Sequence, residues 1–377
     1  MITRPFQNKM LPALGLGCMR FPVKDGKDDS IDEAAVAEMV DCAMKGGVNY
    51  FDTAWAYHEG QSEVVMGRIL SRYPRESYYL ADKFPGYDVK NMDKVGFIFE
   101  EQLRKTGVDY FDFYLFHNVC EANIDYYLNE EKYGICAYLK EQKANGRIRH
   151  LGFSTHGNLE TVERFLDAYG EHMEFCQIQL NWLDWELRQA GELVEMLGRR
   201  NIPVWVMEPL RGGKLATLSA ENTEKLKQMR PDETVPGWAF RFLQSLEGVT
   251  VTLSGMSNLQ QIQENIRTFE SSRPLNGQEW NTLLDMGADM ARFVPCTTCR
   301  YCTVHCPQKL DIPTLIRLYN EHTFTGGGFL PAMRLRALGQ GKQPSDCIGC
   351  RSCEKVCPQN IKISEVMSEF AGRLTKK

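Results

Sequence analysis

Short apolar runs alternate with longer amphipathic stretches between residues 1 and 270. The run "NYFDTA" from Asn49 precedes "SEVVMGRIL", "YYLADKF" from Tyr78 precedes "VGFIFEEQLRKTG", and "YFDFYLFH" from Tyr110 precedes "YGICAYLKEQKANG". Strands that alternate with helices pair in parallel through right-handed crossovers, and continuous apolar strands are buried on both faces. The pattern therefore predicts a parallel sheet covered by helices.

Five further apolar runs complete the set of strands: "LGLGCMRF", "RHLGFST", "FCQIQLNW", "PVWVMEPL" and "VTVTLSG". Eight strand–helix units before residue 275 are typical of a closed (β/α)8 barrel rather than of an open doubly wound sheet. Gly15 and Gly17 in "LGLG" lack the third glycine and the downstream acid of a dinucleotide-binding fingerprint, so we interpret them as turn residues. The predicted fold class is α/β, a TIM barrel.

The alternation stops after "NIRTFESSRPLNGQEW", which predicts a domain boundary near residue 275. Residues 1–275 would form the barrel, and residues 276–377 a smaller, mainly helical domain. The second region contains two copies of one cysteine pattern, "CTTCRYCTVHCP" from Cys296 and "CIGCRSCEKVCP" from Cys347. We therefore expect the smaller domain to be built around these cysteines.

Composition narrows the class of protein. A chain of 377 residues with 43% hydrophobic and 25% charged residues can bury one large core and add a second domain. The net charge is −5 and the basic residues are scattered, which disfavours nucleic acid as a partner. No apolar run approaches the roughly 20 residues of a membrane span, and the N-terminal segment lacks the apolar region of a signal peptide. We expect a cytoplasmic globular protein.

Four polar residues follow the predicted strands two, three and four. Asp52 ends the second strand, Tyr57 lies in its loop, Lys83 ends the third strand and His117 ends the fourth. In a (β/α)8 barrel the loops that follow the strands converge at one end, so these side chains can face one point. A tyrosine has a pKa of about 10, and a nearby ammonium lowers that value. Lys83 would supply this charge, Asp52 would pair with it, and His117 would orient a carbonyl oxygen.

These segments resemble the aldo/keto reductase family. "FDTAWAYHEGQSEVVMGRIL" is similar to the family's signature of an Asp, a Tyr five residues later, and a Ser-Glu pair followed by a Gly, while "LADKF" and "LFHNV" resemble its Lys and His strand ends. The resemblance spans residues 5–270. It implies that Tyr57 is the general acid, that Asp52 and Lys83 tune the pKa of Tyr57, and that His117 orients the carbonyl.

The resemblance also implies an extended nicotinamide cofactor. Family habit favours NADP, with NAD as the alternative, because Ser257 stands where many relatives carry the Arg or Lys that meets the 2′-phosphate. No sequence motif indicates a binding site for flavin mononucleotide. The implied cofactor contacts are Ser154, Gln179 and Asn181 at the carboxamide, and Met207, Pro209, Leu210, Gly212, Gly213, Gly255, Ser257, Asn258, Gln261, Glu264 and Asn265 along the phosphates and adenosine.

Each cysteine run reads C-x2-C-x2-C-x3-C-P, the spacing of bacterial ferredoxins with two [4Fe–4S] clusters. In that pattern three thiolates hold one cluster and the fourth crosses to the other. Cys296, Cys299, Cys302 and Cys357 would then hold one cluster, and Cys306, Cys347, Cys350 and Cys353 the second. A zinc ribbon is the rival, but it leaves the third and fourth cysteines of each run unexplained. Clusters that only staple a small domain are the structural alternative.

The combined pattern predicts an oxidoreductase that transfers a hydride between NADP(H) and a small carbonyl or alcohol. The clusters would transfer electrons, with an external electron-transfer protein as a partner. The contrasting hypothesis is a redox-sensing or scaffold protein that binds nicotinamide and clusters without significant turnover. The remaining five cysteines, Cys18, Cys42, Cys120, Cys136 and Cys176, are interpreted as small buried apolar residues.

Overall fold

The computed structural model describes residues 1–291 and 294–375, with only the backbone described for Phe329. Ten strands lie in the first part of the chain: β1 Thr3–Phe6, β2 Lys9–Pro12, β3 Leu14–Gly17, β4 Tyr50–Asp52, β5 Tyr79–Phe84, β6 Phe111–Val119, β7 Ile148–Thr155, β8 Cys176–Gln179, β9 Val204–Met207 and β10 Val249–Ser254. Strands β3 to β10 pair in parallel and close into a barrel, because β10 pairs with β3. The eight predicted barrel strands are confirmed.

Helices surround the barrel and continue after it. Their bounds are α1 Glu33–Lys45, α2 Gln61–Leu70, α3 Val95–Thr106, α4 Ile124–Tyr127, α5 Glu130–Tyr133, α6 Ile135–Ala144, α7 Leu159–Tyr169, α8 Asp184–Leu187, α9 Ala190–Arg199, α10 Ala220–Met229, α11 Val235–Gln244, α12 Leu259–Thr268, α13 Gly277–Ala291, α14 Tyr301–Val304, α15 Ile312–Thr325, α16 Phe329–Ala337 and α17 Ile363–Thr375. Among the described residues, no helix is long and apolar enough to cross a membrane.

Helix α7 shows how the sequence produces these outer helices. The Asn158 side chain accepts a hydrogen bond from the backbone N–H of Thr161 at 2.8 Å, which caps the first turn. The side chains that α7 buries recur every three or four positions: Val162, Phe165, Leu166 and Tyr169. One apolar stripe therefore faces the barrel while the acidic and basic residues between these positions face outward.

Gly15 lies inside strand β3, so the interpretation of this residue as a turn glycine is wrong, and Gly17 ends the same strand. A Cβ at Gly15 would approach the Leu253 side chain to 2.8 Å and the side chains of Tyr50 and Val251 to 3.2 Å. Large residues of neighbouring strands fill this part of the barrel. The glycine is required by that close packing and not by a turn.

An N-terminal hairpin that the sequence did not predict closes one end of the barrel. Strands β1 and β2 pair antiparallel, and Phe6 packs into the barrel core. The Phe6 ring lies 5.0 Å from the Trp205 ring and 5.7 Å from the Phe113 ring. Both partners lie near the beginnings of their strands, so the hairpin leaves the opposite end, where the strands finish, open for chemistry.

The chain divides into two compact units, Met1–Trp185 with Gln189–Thr282, and Glu186–Arg188 with Leu283 onward. The second unit has a core of its own, which joins Leu315, Ile316, Met367 and Phe370 to the thiols of the cysteine runs. No strand occurs between residues 294 and 375, so this unit is helical as predicted. The boundary predicted near residue 275 stays a prediction.

Candidate active site and cysteine-lined cavities

The structure brings Asp52, Lys83 and Tyr57 together where strands β4 and β5 end. The Lys83 ammonium is fully buried and donates hydrogen bonds to Asp52 Oδ1 at 2.7 Å and to the backbone oxygen of Thr53 at 2.6 Å. The same nitrogen lies 5.0 Å from the centre of the Tyr57 ring. A buried cation beside a phenol, held by a buried carboxylate, is the arrangement predicted from the sequence.

His117 completes the group from strand β6. Its ring meets the Tyr57 ring edge to face, with the two ring centres 6.2 Å apart. Tyr87 packs against the other side of the imidazole, with ring centres 5.1 Å apart. All four predicted catalytic side chains therefore face one point at the C-terminal end of the barrel.

The pKa of Tyr57 moves opposite to the sequence-based expectation. Burial of the hydroxyl raises the pKa to about 12, and the neighbouring Lys83 ammonium offsets only part of that rise. The predicted net lowering by Lys83 is therefore wrong, because removing a phenolate from water costs more than one nearby cation returns. Tyr57 is held as a protonated phenol.

His117 is held as a neutral imidazole. Burial lowers the pKa of His117 well below its usual value, and the Lys83 ammonium lowers it further. The imidazole Nδ1 has no hydrogen-bond partner among the described residues. A neutral ring with one free nitrogen can place a single hydrogen bond on a substrate oxygen.

A network of buried polar side chains contacts the backbone of Lys83 and the neighbouring Asp82. The Gln102 side-chain amide donates hydrogen bonds to Asp82 Oδ1 at 2.8 Å, to Glu63 Oε1 at 3.0 Å and to the backbone oxygen of Lys83 at 3.0 Å. Burial, followed by the charge of Glu63, raises the pKa of Asp82 well above its usual range. Sequence reasoning missed Gln102, which lies on α3 and meets these partners only in the folded chain.

The loop that carries Tyr57 has an unusual backbone. His58, Glu59 and Gly60 follow Tyr57 with φ angles of 52°, 53° and 87°. The His58 ring is buried, and its Nε2 accepts a hydrogen bond from the backbone N–H of Phe21 at 3.1 Å. His58 therefore anchors the left-handed turn, and with it Tyr57, to the loop after β3.

Three of the predicted cofactor contacts lie at the ends of strands β7 and β8. Gln179 and Asn181 each donate a side-chain hydrogen bond of 2.7 Å to Asp184 Oδ2. Arg211 approaches the same oxygen at 3.2 Å. Ser154, on β7, accepts a hydrogen bond at 2.8 Å from the backbone N–H that follows His117. The buried Asp184 is a residue that sequence reasoning missed.

The other predicted cofactor contacts lie on the loops after β9 and β10 and on α12. Asn258 caps α12 by accepting a hydrogen bond from the Gln261 N–H at 2.9 Å, and Gln261 Oε1 accepts one from the Ser257 N–H at 2.7 Å. Asn265 donates to Ser254 Oγ at 3.2 Å. The remaining members of this set are Met207, Pro209, Leu210, Gly212, Gly213, Gly255 and Glu264. Their roles stay predictions.

Arg20 joins these two loops and was missed by the sequence reasoning. A Cβ at Gly255 would lie 3.0 Å from Arg20 Cγ, and a Cβ at Gly212 would lie 3.2 Å from Arg20 Nη2. The arginine side chain therefore runs from the loop after β10 to the loop after β9. A guanidinium in this position can bind a phosphate bidentately. The sequence signal is weak: Arg20 lies three residues after the end of the first barrel strand.

The eight cysteines of the second unit line two cavities. The first cavity, about 310 Å³ including space open to solvent, has Cys296, Cys299, Cys302 and Cys357 in its wall. The second, about 350 Å³ on the same measure, has Cys306, Cys347, Cys350 and Cys353. Each set contains three cysteines of one run and the fourth of the other, which is the grouping predicted from the spacing.

The described residues contain no group of three or more His, Cys, Asp or Glu side chains placed for a single metal ion. The grouping of the cysteines, three of one run with the fourth of the other, is the one expected for two [4Fe–4S] clusters. The two runs also repeat one backbone shape, since Arg300 and Arg351 at equivalent positions have φ angles of 61° and 58°.

A closed parallel barrel with a tyrosine, a histidine and a buried lysine–aspartate pair at its open end defines a class of TIM-barrel oxidoreductases. Residues 13–286 match the model of the aldo/keto reductase family, and residues 295–362 match that of a 4Fe-4S dicluster domain. The chain belongs to the aldo/keto reductase family and carries an iron–sulfur dicluster domain after the barrel.

Relatives agree with this assignment. The chain is 25% identical over 299 residues to the NADH-specific methylglyoxal reductase of Escherichia coli. This match covers 68% of the present chain and 89% of the relative. It is 26% identical over 208 residues to a probable aldo-keto reductase of Glycine max and 32% identical over 207 residues to an aldo-keto reductase of Mycolicibacterium smegmatis. Those matches cover 53% and 54% of this chain, and the chain spans only 56% and 66% of those relatives' length.

Solved structures share the fold. An aldo-keto reductase from Bacillus halodurans superposes with a TM-score of 0.62 at 21% identity, covering 76% of this chain and 96% of that one. An aldo-keto reductase from Klebsiella pneumoniae in complex with NADPH gives a TM-score of 0.60 at 19% identity, covering 76% and 95%.

Proposed function

We propose that the chain transfers a hydride between a nicotinamide cofactor and a small carbonyl or alcohol, and that the dicluster domain transfers electrons. The observation that carries the first part is the buried Lys83–Asp52 pair, with a nitrogen-to-oxygen distance of 2.7 Å, beside Tyr57 and His117. Buried ion pairs are costly to build and rarely increase stability on balance. Their placement at the open end of a barrel favours a catalytic role.

Tyr57 holds the proton that the product alcohol requires. When bound, the nicotinamide supplies the hydride to the carbonyl carbon. The Tyr57 hydroxyl, whose pKa is raised to about 12 by burial, stays protonated and donates to the oxygen as negative charge develops there. The ammonium of Lys83, 5.0 Å from the ring centre, stabilises the phenolate that remains.

Asp52 keeps Lys83 charged. Burial works to lower the pKa of Lys83, but the charge of the Asp52 carboxylate raises it above its usual value. The neutral imidazole of His117 orients the substrate oxygen toward Tyr57 by one hydrogen bond. Each of the four residues therefore has a distinct task, and only Tyr57 gives up a proton.

The proposed cofactor site combines amide side chains at the end of β8 with a guanidinium at the loops after β9 and β10. Gln179 and Asn181, which both contact Asp184, would supply the amides, and Arg20 runs between these two loops. We propose NADP as the cofactor, because family habit favours it and the Ser257 hydroxyl, just before the start of α12, can bind a 2′-phosphate. NAD is the alternative, and the Escherichia coli relative is named for NADH.

The cluster assignment rests on the way the cysteines group. Each cavity draws three thiols from one run and one from the other, which supports two [4Fe–4S] clusters with crossed ligands. Clusters of this kind exchange single electrons. We therefore propose an external one-electron carrier as a partner.

The Tyr57→Phe variant tests the reductase. We expect carbonyl reduction to fall by about a thousandfold or more, because the phenol donates its proton only in the transition state. Cofactor affinity should stay nearly unchanged. Steady-state turnover with a panel of small aldehydes, together with a fluorescence titration of NADPH, measures both quantities.

Tyr126→Phe is the matched control, since Tyr126 is 39% exposed and lies on α4. It should leave turnover and binding at the parent values. Equal loss of cofactor binding in Tyr57→Phe would show that Tyr57 is structural. A parent protein that binds NADPH but turns over no carbonyl or alcohol would favour the redox-sensing hypothesis.

A further inference from the structure

We propose that the rim of the second cysteine-lined cavity is the docking surface for a small acidic electron-carrier protein. We call this surface the basic rim and define it by Ile348, Cys350, Arg351 and Lys355. The proposal rests on the proposed function, since it takes a cluster to be held by Cys306, Cys347, Cys350 and Cys353.

The cysteine-rich segment has the opposite charge from the chain as a whole. Residues 294–362 contain nine Lys and Arg against four Asp and Glu, a net charge of +5, whereas the full chain carries −5. The charged side chains that are exposed in this segment are all basic: Arg300, Lys309, Arg336, Arg351, Lys355 and Lys362. Such a field attracts an acidic partner and repels a basic one.

The four acids of the segment either accept hydrogen bonds from backbone N–H groups or are buried. Asp311 and Asp346 accept hydrogen bonds from backbone N–H groups at the starts of helical turns. Glu354 accepts from the backbone N–H of Ser364 at 2.8 Å, and Glu321 is only 1% exposed. The surface therefore presents cations while its carboxylates are turned to internal partners.

The basic rim combines access to the cluster site, apolar surface and two exposed basic side chains. Ile348 and Arg351 line the second cavity, Cys350 of the same cavity is exposed, and the Ile348 side chain is 61% exposed. Lys355 is exposed and lies two residues after Cys353, which lines the same cavity. An exposed ligand beside an apolar residue and two cations gives electrons a short route to the surface.

The first cavity has a differently balanced rim. Arg300 occupies the position equivalent to Arg351, but an Asp311 carboxylate oxygen lies 3.6 Å from its guanidinium. Tyr301 and Val304 beside it are 63% and 84% exposed. That rim is more apolar and its arginine is partly neutralised, so an acidic carrier is steered to the second cavity instead.

The occupant is a carrier whose exposed redox centre is surrounded by carboxylates. Electron-transfer contacts are small, and charge complementarity raises their association rate more than their affinity. One electron leaves the reduced carrier and enters the cluster. The carrier is oxidised by one electron, the cluster is reduced by one, and no bond or proton moves.

A binding experiment on the cluster-replete protein tests the surface. The probe is a purified plant-type ferredoxin with a [2Fe–2S] centre and an acidic surface. We expect the double variant Arg351→Glu/Lys355→Glu to weaken binding about tenfold or more in anaerobic calorimetry at low salt, and to slow cluster reduction by the same factor in stopped-flow absorbance. The matched control, Lys225→Glu/Lys227→Glu on α10, makes the same charge change on exposed lysines of the barrel and should bind as the parent does.

The outcomes separate the surface from the proposed function. Iron and sulfide are assayed first, and a preparation that assembles no clusters overturns the proposed function. A cluster-replete rim variant that binds the ferredoxin as tightly as the parent overturns the docking surface alone. A larger loss of ferredoxin affinity in Arg300→Glu than in the rim variant also overturns it, because docking would then be at the other cavity. Tight binding of a single-stranded oligonucleotide that competes with the ferredoxin overturns it as well, because it would indicate a nucleic-acid surface.

Discussion

Tyr57 is an acid whose proton is protected by burial. Desolvation raises the pKa of the phenol to about 12 even though a buried ammonium lies beside it. The role of Lys83 is therefore to limit the cost of forming the phenolate during the reaction rather than to make the resting tyrosine acidic. This division of work predicts how the two directions of reaction respond to pH.

We expect kcat/KM for carbonyl reduction to stay flat from about pH 7 to pH 10, because Tyr57 remains protonated well below its raised pKa. Alcohol oxidation needs the deprotonated phenol, whose fraction rises about tenfold per pH unit below that pKa. The oxidation rate should therefore climb with pH over the same range. Steady-state profiles in both directions check this, and an alkaline fall of reduction centred near pH 8 would contradict the raised pKa.

Arg20 should matter for cofactor binding and not for chemistry. We expect Arg20→Ala to weaken NADPH binding by about tenfold or more, since a charge-assisted hydrogen bond to a phosphate contributes roughly 1.5–3 kcal/mol. The kcat at saturating cofactor should be unchanged. Fluorescence titration measures the affinity, and Arg104→Ala serves as the control because Arg104 is exposed and pairs with the nearby Glu101 on α3. A drop in kcat with unchanged affinity would assign Arg20 to the reacting centre.

At the scale of elements, local sequence patterns predicted the strands and helices, but they did not predict contacts between residues distant in sequence. All eight barrel strands and the helical second unit follow from apolar periodicity and cysteine spacing, which are properties of neighbouring residues. The β1–β2 hairpin was missed because its apolar signal is little more than Phe6 and Leu11. Gly15 was misread because its neighbours Leu253 and Tyr50 are far away in sequence.

The same distinction applies to the candidate site. The positions of Asp52, Lys83 and His117 near strand ends could be predicted, since the strands are recognisable in the sequence, whereas the catalytic roles stay predictions. The supports of the site, Gln102, His58, Asp184 and Arg20, come from other elements and are found only from contacts. The direction predicted for the pKa shift of Tyr57 was wrong for a related reason. Burial of the hydroxyl depends on everything that surrounds it in the fold and not only on the residues near it in sequence.

The crossing of the cysteine runs gives a test at the level of elements. Anaerobically prepared protein should contain about eight irons per chain. We expect Cys306→Ser to damage the cluster held with Cys347, Cys350 and Cys353, although Cys306 belongs to the first run in sequence. Electron paramagnetic resonance of the reduced protein should show the loss of one of two signals.

Two further variants identify which signal is lost. Cys350 lines the same cavity as Cys306, so Cys350→Ser should remove the same signal. Cys299 lines the first cavity, so Cys299→Ser should remove the other signal. Loss of the Cys299 signal in Cys306→Ser would refute the crossed ligation. Two zinc ions per chain would refute clusters altogether.

At the scale of the whole molecule, the two kinds of proposed cofactor differ in how they pass electrons. Nicotinamide gives up two electrons at once as a hydride, whereas a [4Fe–4S] cluster accepts one. We therefore expect NADPH alone not to bleach the clusters of the pure protein within the time of carbonyl turnover, and added flavin or an external flavoprotein to be required. Anaerobic mixing followed by visible absorbance measures this, and rapid bleaching without flavin would reveal a one-electron route.

The charge of the molecule is also divided, with a basic cysteine-rich segment on a chain of net charge −5. A carrier attracted to the basic rim would be repelled by the acidic remainder, so raising the salt concentration should weaken both effects together.

The shared lining of the two cavities also sets an order of assembly during synthesis. A cluster in either cavity needs a thiol from each run, so the second site lacks a ligand until the ribosome has added Cys353, and the first until it has added Cys357. At about 5 to 20 residues per second, the interval from Cys302 to Cys357 lasts roughly 3 to 11 seconds. The barrel, whose last strand ends at Ser254, can begin to fold earlier. We therefore expect both clusters to be completed after the barrel has begun to fold.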